Sequence, residues 1–234
     1  MTCWGRWAAG LAWLLLLAVV PAAGAQLPFQ ESWDQLPLSS YVDGGRIGPL
    51  WVDAWNGGGT GQIATAPGHG RVLQLAPPFT SNSATHSALA LSDGVFGHSD
   101  SAVQVRTLRQ VKSQPNPWEV GWLLVDYHLD HCGNKVFYYL LLKQVSGWEL
   151  GKTYSDGQCG FRQQFLATGA GTFPLGQWYT ARIKISGDQL SAYDGTRLLG
   201  TAVDDGAKGG FYRSGRIGFY TEDAVVQFDE VTVH

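Results

Sequence analysis

The sequence has little charge. Asp, Glu, Lys and Arg make up 15% of its 234 residues, and 16 Lys+Arg against 19 Asp+Glu leave a formal net charge of −3. That balance gives no general attraction to phosphate and argues against a nucleic-acid partner. Its 31 glycines lack a triplet period, which excludes collagen. Helical periodicity is also missing beyond residue 26, so a doubly wound α/β fold, with its helical crossovers, is excluded. No apolar run after the N-terminus is long enough to cross a bilayer. What is abundant is aromatic area, with 10 Trp, 9 Tyr and 10 Phe. That is ample apolar surface to offset chain entropy, and disorder is excluded with it.

The first 25 residues, MTCWGRWAAGLAWLLLLAVVPAAGA, carry one charge, Arg6, then an apolar run of 13 residues from Ala8 to Val20. Ala23-Gly24-Ala25 supplies small side chains for cleavage, and Gln26 becomes the mature start of one domain over 26–234. This is the tripartite pattern of a secretory signal. A spanning helix needs about 20 apolar residues, and Pro21 ends this run too early. Secretion would remove Cys3 and leave Cys132 and Cys159 in an oxidising compartment. There one bridge is expected, two unrelated thiols being the alternative. The strand assignment below puts both cysteines at the same end of one sheet, as a bridge requires.

Short runs of Val, Ile, Leu, Thr and aromatics alternate with Gly, Asn, Asp, Ser and Pro clusters. Strands are expected over 61–66, 72–75, 87–91, 102–107, 119–128, 136–143, 148–153, 162–167, 179–186, 189–193, 196–202, 215–221 and 225–234. So many strands with no helix between them indicate an all-β, antiparallel β-sandwich or jelly roll. In 189–200, Asp194-Gly195 between alternating apolar positions predicts a hairpin with a type I′ turn. The cluster Asn56-Gly57-Gly58-Gly59-Thr60-Gly61 is followed by neither a helix nor a Lys-Ser/Thr pair, so it reads as a loop and not a phosphate cradle.

The C-terminal stretch Gly215-Arg216-Ile217-Gly218-Phe219-Tyr220, followed by Phe228-Asp229-Glu230-Val231-Thr232-Val233, resembles the closing strands of concanavalin A-like lectin/glucanase jelly rolls. Phe29-Gln30-Glu31-Ser32-Trp33 and Gly70-Arg71-Val72-Leu73-Gln74-Leu75 are similar to the opening strands of that superfamily. The resemblance implies the sandwich and a concave polysaccharide-binding face. It also implies a structural Ca2+ held by Glu31, the carbonyl of Gly70 and Asp229, hard oxygen donors of the kind calcium takes. The glucanases' Glu-x-Asp-x-x-Glu strand and the lyases' Arg-x-Glu and Gln-Ile-His strands are absent, so any active site is not a copy of theirs.

The chemistry falls in the meander from Trp118 to Gln164. Two-residue alternation puts Tyr138, Leu140 and Leu142 inward and Tyr139 and Lys143 outward. On the preceding strand Trp118, Val120, Trp122 and Leu124 read as core, which turns Glu119 and Gly121 to the groove. Trp148, Leu150 and Lys152 share one face of the third strand and Glu149 the other. By analogy with the first strand Glu149 goes to the groove, and Arg162 and Gln164 share a face on the fourth. The candidate catalytic set is thus Glu119, Glu149, Tyr139 and Lys143, with Trp148, Lys152, Arg162 and Gln164 as candidate substrate contacts. A cross-strand Glu–Lys ladder is the structural alternative, but convergent polar groups on an aromatic floor suit a polyol.

Glu119 and Glu149, two strands or roughly 9–10 Å apart, fit glycosidic hydrolysis by a carboxylate pair. Tyr139 with Lys143 or Arg162 would instead suit proton abstraction beside a uronate. His128, His131, Asp126 and Asp130 could ligate a transition metal, but their irregular spacing at a strand end reads as a solvated turn. His69, His86 and His98 read as isolated loop residues. The expectation is a secreted protein that binds a polysaccharide or oligosaccharide, with hydrolase or lyase cleavage open. The alternative is a non-catalytic lectin-like or adhesion module of the cell envelope.

Overall fold

The computed structural model describes residues 27–81, 84–97 and 100–234. The expected signal segment and His98 lie outside the described residues. The strands in chain order are β1 (Phe29–Glu31), β2 (Ser39–Tyr41), β3 (Arg46–Ile47), β4 (Trp51–Trp55), β5 (Thr60–Ala66), β6 (Gly70–Ala76), β7 (Ser87–Ser92), β8 (Phe96–Gly97) and β9 (Asp100–Gln110). They continue with β10 (Gly121–Leu129), β11 (Lys135–Leu142), β12 (Trp148–Ser155), β13 (Phe161–Gly169), β14 (Tyr179–Ser186), β15 (Gln189–Asp194), β16 (Arg197–Val203), β17 (Ser214–Glu222) and β18 (Ala224–Val233). Among the described residues there is no helix, and none long and apolar enough to cross a membrane.

Two sheets form the sandwich. The back sheet runs β16-β15-β14-β9-β18-β6-β5-β2 with β1 on β18, and the front sheet runs β13-β12-β11-β10-β17-β7-β4-β3 with β8 on β17. The chain crosses from the centre of one to the centre of the other at Asp223, between β17 and β18. Its φ is 45°, and its buried carboxylate accepts the Thr80 hydroxyl at 2.9 Å, the His86 N–H at 2.8 Å and the Lys112 ammonium at 3.1 Å. Between the sheets lies an apolar core that includes Trp33, Trp51, Phe96, Phe219 and Phe228. Phe219 stacks on both Trp51 and Phe228 with ring centroids 4.9 Å apart.

A second buried apolar cluster covers the outer face of the front sheet and includes Leu89, Trp122, Leu124, Phe137, Tyr139 and Leu141. It decides the phase of the central strands. In β11, Tyr138, Leu140 and Leu142 point into the core and Tyr139 outward, as the alternation predicts. In β10 the expectation is inverted: Leu123 and Val125 are the core residues, while Val120, Trp122 and Leu124 belong to the outer cluster. Gly121 faces inward, where a Cβ would fall 2.5 Å from Val105 and 2.6 Å from Val226. Trp and Leu alternate with Leu and Val here, so both faces are apolar and hydrophobicity cannot tell them apart.

The hairpin at 189–203 forms, with a different turn. Asp194 pairs with Arg197 and a bulge follows Ala192, so the two-residue loop is Gly195-Thr196. Of these only Gly195 has positive φ, +60°, whereas a type I′ turn needs it at both positions. The Cys132–Cys159 disulfide is present and ties the β10–β11 turn to the β12–β13 turn.

Candidate functional site

The outer face of the front sheet holds the candidate site. Register places Glu149 beside Leu141, Leu141 beside Trp122, and Trp122 beside Tyr220. Tyr139 lies one pleat along, opposite Gly151. A Cβ on Gly151 would sit 2.3 Å from the Tyr139 hydroxyl, so the glycine makes room for the phenol to lie across β12. There Tyr139 Oη donates to Glu149 Oε1 at 2.7 Å. Gln163 Nε2 donates to Tyr139 Oη at 2.5 Å and reaches Glu149 Oε1 at 3.5 Å. Lys143 Nζ stands 3.4 Å from Glu149 Oε2. Burial and the neighbouring carboxylate push the Tyr139 phenol well above its ordinary pKa, which keeps the proton on oxygen as the donor Glu149 needs.

Glu149 is at the floor of a cleft of about 300 Å³ walled by Trp118, Trp122, Gln163, Phe165 and Glu222. It also borders a shallower depression with Lys143 and Thr168, and Phe165 is the wall common to both. A third hollow of about 300 Å³, with Trp55, Leu89, Leu124, Phe137, Phe161 and Tyr220 around it, lies on the same face. Large apolar side chains stand exposed along this surface: Trp55, Trp118, Phe161 and Phe165. Glu222 accepts the Tyr220 hydroxyl at 2.8 Å. Burial foremost, with Asp223 and Glu119 adding negative charge, raises its pKa above the usual carboxylate value.

Of the residues named from sequence, the structure brings together Tyr139, Lys143 and Glu149. Glu119 lies elsewhere. It is 1% exposed in the turn before β10, where it accepts the Asn116 N–H at 3.0 Å and side-chain amide at 2.8 Å and pairs with Lys112 at 3.3 Å. The inverted phase of β10 accounts for the difference. Trp148 packs in the core. Lys152 is also inward and fully buried, with Nζ 2.8 and 2.7 Å from the Asp204 oxygens and 3.0 Å from the Gly210 carbonyl. Both therefore lie on the side of β12 away from the groove. Arg162 pairs with Asp156 at 2.8 Å, and Gln164 lies opposite Lys152, so β13 offers Gln163 and Phe165 to the groove instead. A register shift between Leu150 and Gly151 sets that phase, and a bulge of this kind has no sequence mark.

Glu222, Gln163 and Phe165 are groove residues that sequence reasoning missed, and Trp118 and Trp122, read there as core, line the cleft as well. Glu222 was within reach of it: in β17, Ile217 and Phe219 are core, so alternation alone sends Tyr220 and Glu222 outward.

The histidines divide. His69 Nδ1 is 2.9 Å from Asp229 Oδ2 and its ring stacks on Trp178 at 4.0 Å, so it is no isolated loop residue. His128 packs edge-on against Tyr212. Asp126 is not solvated: it is 1% exposed, and burial pushes its pKa up to about 7. Asp130 caps the turn by accepting the N–H groups of Cys132 and Asn134 at 2.9 and 3.0 Å. Among the described residues, the group of three His, Cys, Asp or Glu side chains with donor atoms within 4.8 Å is His131, Cys132 and Cys159. Its two sulfurs are bonded to each other, which removes the thiolates a metal would take. At the expected calcium position, Glu31 Oε1 accepts the Trp33 N–H at 3.0 Å. Asp229 Oδ1 is buried without a hydrogen-bond partner.

No protein-family model matches the chain, and no curated protein matches it. Solved structures do. A carbohydrate binding module, CBM66, from Bacillus subtilis superposes with a TM-score of 0.54 at 15% identity, covering 79% of this chain and 94% of that one. A Bacteroides ovatus mixed-linkage glucan GH16 in complex with a G4G4G3G product gives 0.58 at 10% identity, covering 88% and 99%. A Bacillus licheniformis beta-glucanase gives 0.54 at 11%, covering 88% and 97%. At such identities the likeness is one of fold, and that fold is the concanavalin A-like jelly roll. Function has to be argued from this chain's own site.

Proposed function

We propose that the outer face of the front sheet binds a polysaccharide or oligosaccharide chain outside the cytoplasm. The observation that carries the reading is the Glu149 carboxylate, held by Tyr139, Gln163 and Lys143 in a cleft rimmed by Trp118 and Phe165. Aromatic faces stack on sugar rings while a fixed carboxylate accepts hydroxyl hydrogen bonds, the mix of apolar floor and few convergent polar groups that small-molecule sites use. The signal-like N-terminus and the Cys132–Cys159 bridge support secretion. The carbohydrate-binding and glucanase titles of similar structures lend the reading support by analogy.

Hydrolysis is the further step in this proposal, with Glu222 taking the place expected of Glu119. Glu222 has the raised pKa of a general acid, and Glu149, fixed in place by Tyr139, Gln163 and Lys143, takes the role of nucleophile or base. Three strand steps set their backbones roughly 14 Å apart, and the side chains reach into one cleft. Hydrolase chemistry is favoured over lyase chemistry. The Lys143 charge is spent on Glu149 and that of Arg162 on Asp156, so neither is free for a uronate. A structural calcium held by Glu31, the Gly70 carbonyl and Asp229 belongs to the same proposal, and the unpartnered Asp229 oxygen supports it.

The test is affinity electrophoresis of the mature protein through gels cast with single neutral or acidic glycans, followed by a reducing-end assay on those that bind. A neutral glycan is expected to retard the protein, and Glu149→Gln to abolish the retardation. If no glycan retards the wild type, the reading fails. Retardation without new reducing ends assigns the non-catalytic, lectin-like function.

A further inference from the structure

Away from the groove, Asp53 in β4 is fully buried, and neither carboxylate oxygen has a hydrogen-bond partner. Such an orphaned anion is costly and calls for a compensating partner. Its side chain points between the sheets onto Gly61 of β5, where a Cβ would fall 2.4 Å from Oδ2. Oxygen donors gather around it. Gly61 pairs with Tyr41 of β2, and the Tyr41 carbonyl faces Asn56 Nδ2 at 3.4 Å.

The Asn56 N–H donates to Asp43 Oδ1 at 2.7 Å, and Asn56 Oδ1 accepts the Gly58 N–H at 3.2 Å. The 43–45 loop is clamped to Asp53 by backbone bonds, Gly44 N to Asp53 O at 2.6 Å and Asp53 N to Gly45 O at 2.8 Å. The molecule therefore holds a buried carboxylate with no donor on either oxygen, and the loop that carries Asp43 is bonded to the same residue's backbone.

We propose that Asp53 and Asp43 form a divalent cation site, with calcium as its occupant. All the donors are oxygens, which disfavours zinc and copper. They come from one strand and a loop, without octahedral regularity, which suits the flexible coordination of calcium better than that of magnesium. Asp43 is exposed, so the ion has an entry path and room for water ligands. Because β4 belongs to the front sheet and the Asp53 side chain lies against Gly61 of β5 in the back sheet, the ion sits where the two sheets meet at this end. The site is separate from the Glu31–Gly70–Asp229 set and does not depend on the glycan reading.

The test uses terbium as the calcium probe, excited through the protein's tryptophans, on the EDTA-stripped mature protein at pH 7.5. Wild type is expected to give sensitised terbium emission that calcium displaces, and a melting temperature that rises with calcium. In an Asp229→Asn background, which removes the other candidate calcium set, Asp53→Asn should abolish both. Asp43→Ala, a surface change that does not threaten folding, should weaken binding at least about tenfold. Asp229→Asn should leave emission from this site in place. If the wild type binds neither ion, the proposal is wrong. It is equally overturned if Asp43→Ala binds like the wild type, whether or not Asp53→Asn folds.

Discussion

Tyr139 Oη lies 2.7 Å from Glu149 Oε1, and it does so because Gly151, directly across in β12, has no side chain to hold the phenol away. The carboxylate at the centre of the groove is thus positioned by a tyrosine that no ligand would touch: Tyr139 is itself fully buried, with Trp122 packed against it at 4.9 Å. Tyr139→Phe should weaken glycan binding about tenfold, the loss of one hydrogen bond to a charged group, with little change in melting temperature. Isothermal titration and a thermal melt of the variant check it. Gly151→Ala should reproduce the binding defect by displacing the phenol.

The exposed aromatics test the extent of the groove. Trp118→Ala and Phe165→Ala, beside Glu149, should each cost roughly 1 kcal/mol or more of binding, in the range of an aromatic stacking contact. Trp55→Ala, at the far hollow, should matter only for longer oligosaccharides. Titration with a ladder of chain lengths measures the difference.

For hydrolysis, the raised pKa of Glu222 keeps it protonated above the usual carboxylate range. Turnover should hold at mildly acid pH and fall as pH rises through that pKa. Glu222→Gln should lower turnover at least about 100-fold, the contribution of a general acid, while glycan binding is retained. A pH–rate profile of both proteins is the measurement.

Lys152 and Asp204 make a fully buried ion pair. Lys152→Met leaves Asp204 uncompensated, and breaking such a pair costs about 3–5 kcal/mol, read as a large drop in denaturation midpoint. At temperatures where the variant is folded, its glycan affinity should match the wild type, which separates a structural lysine from a ligand contact.

Asp126 gives the stability a pH dependence. Burial raises its folded pKa to about 7, well above the ordinary aspartate value of about 3.9, so between those values the folded state binds a proton that the unfolded state does not. Stability in EDTA should therefore decrease as pH rises through that window, by up to about 1.4 kcal/mol per unit. Asp53 acts with the same sign up to about pH 6. Asp126→Asn should flatten the upper part of the curve, measured as denaturation midpoints from pH 5 to 8.

The sequence by itself determined the all-β class, every long strand and the outward face of β11, and it pointed to the Cys132–Cys159 bridge that the structure shows. These rest on local alternation, turn residues and cysteine count, each readable over a few positions. The short strands β2, β3, β4 and β8 left no mark, since runs of two to five residues are too brief to show a period. Which face of β10 meets the groove was decided only by the tertiary structure. Val120, Trp122 and Leu124 are as apolar as Leu123 and Val125, and the concave face hides its side chains almost as well as the core does. The same ambiguity set Glu119 in the wrong place and passed over Glu222. The bulge after Leu150, which turns Gln163 and Phe165 to the groove, arises from pairing between distant segments. So does the placement of Asp53 against Gly61, where two sheets have to close on one another before the carboxylate is stripped of water.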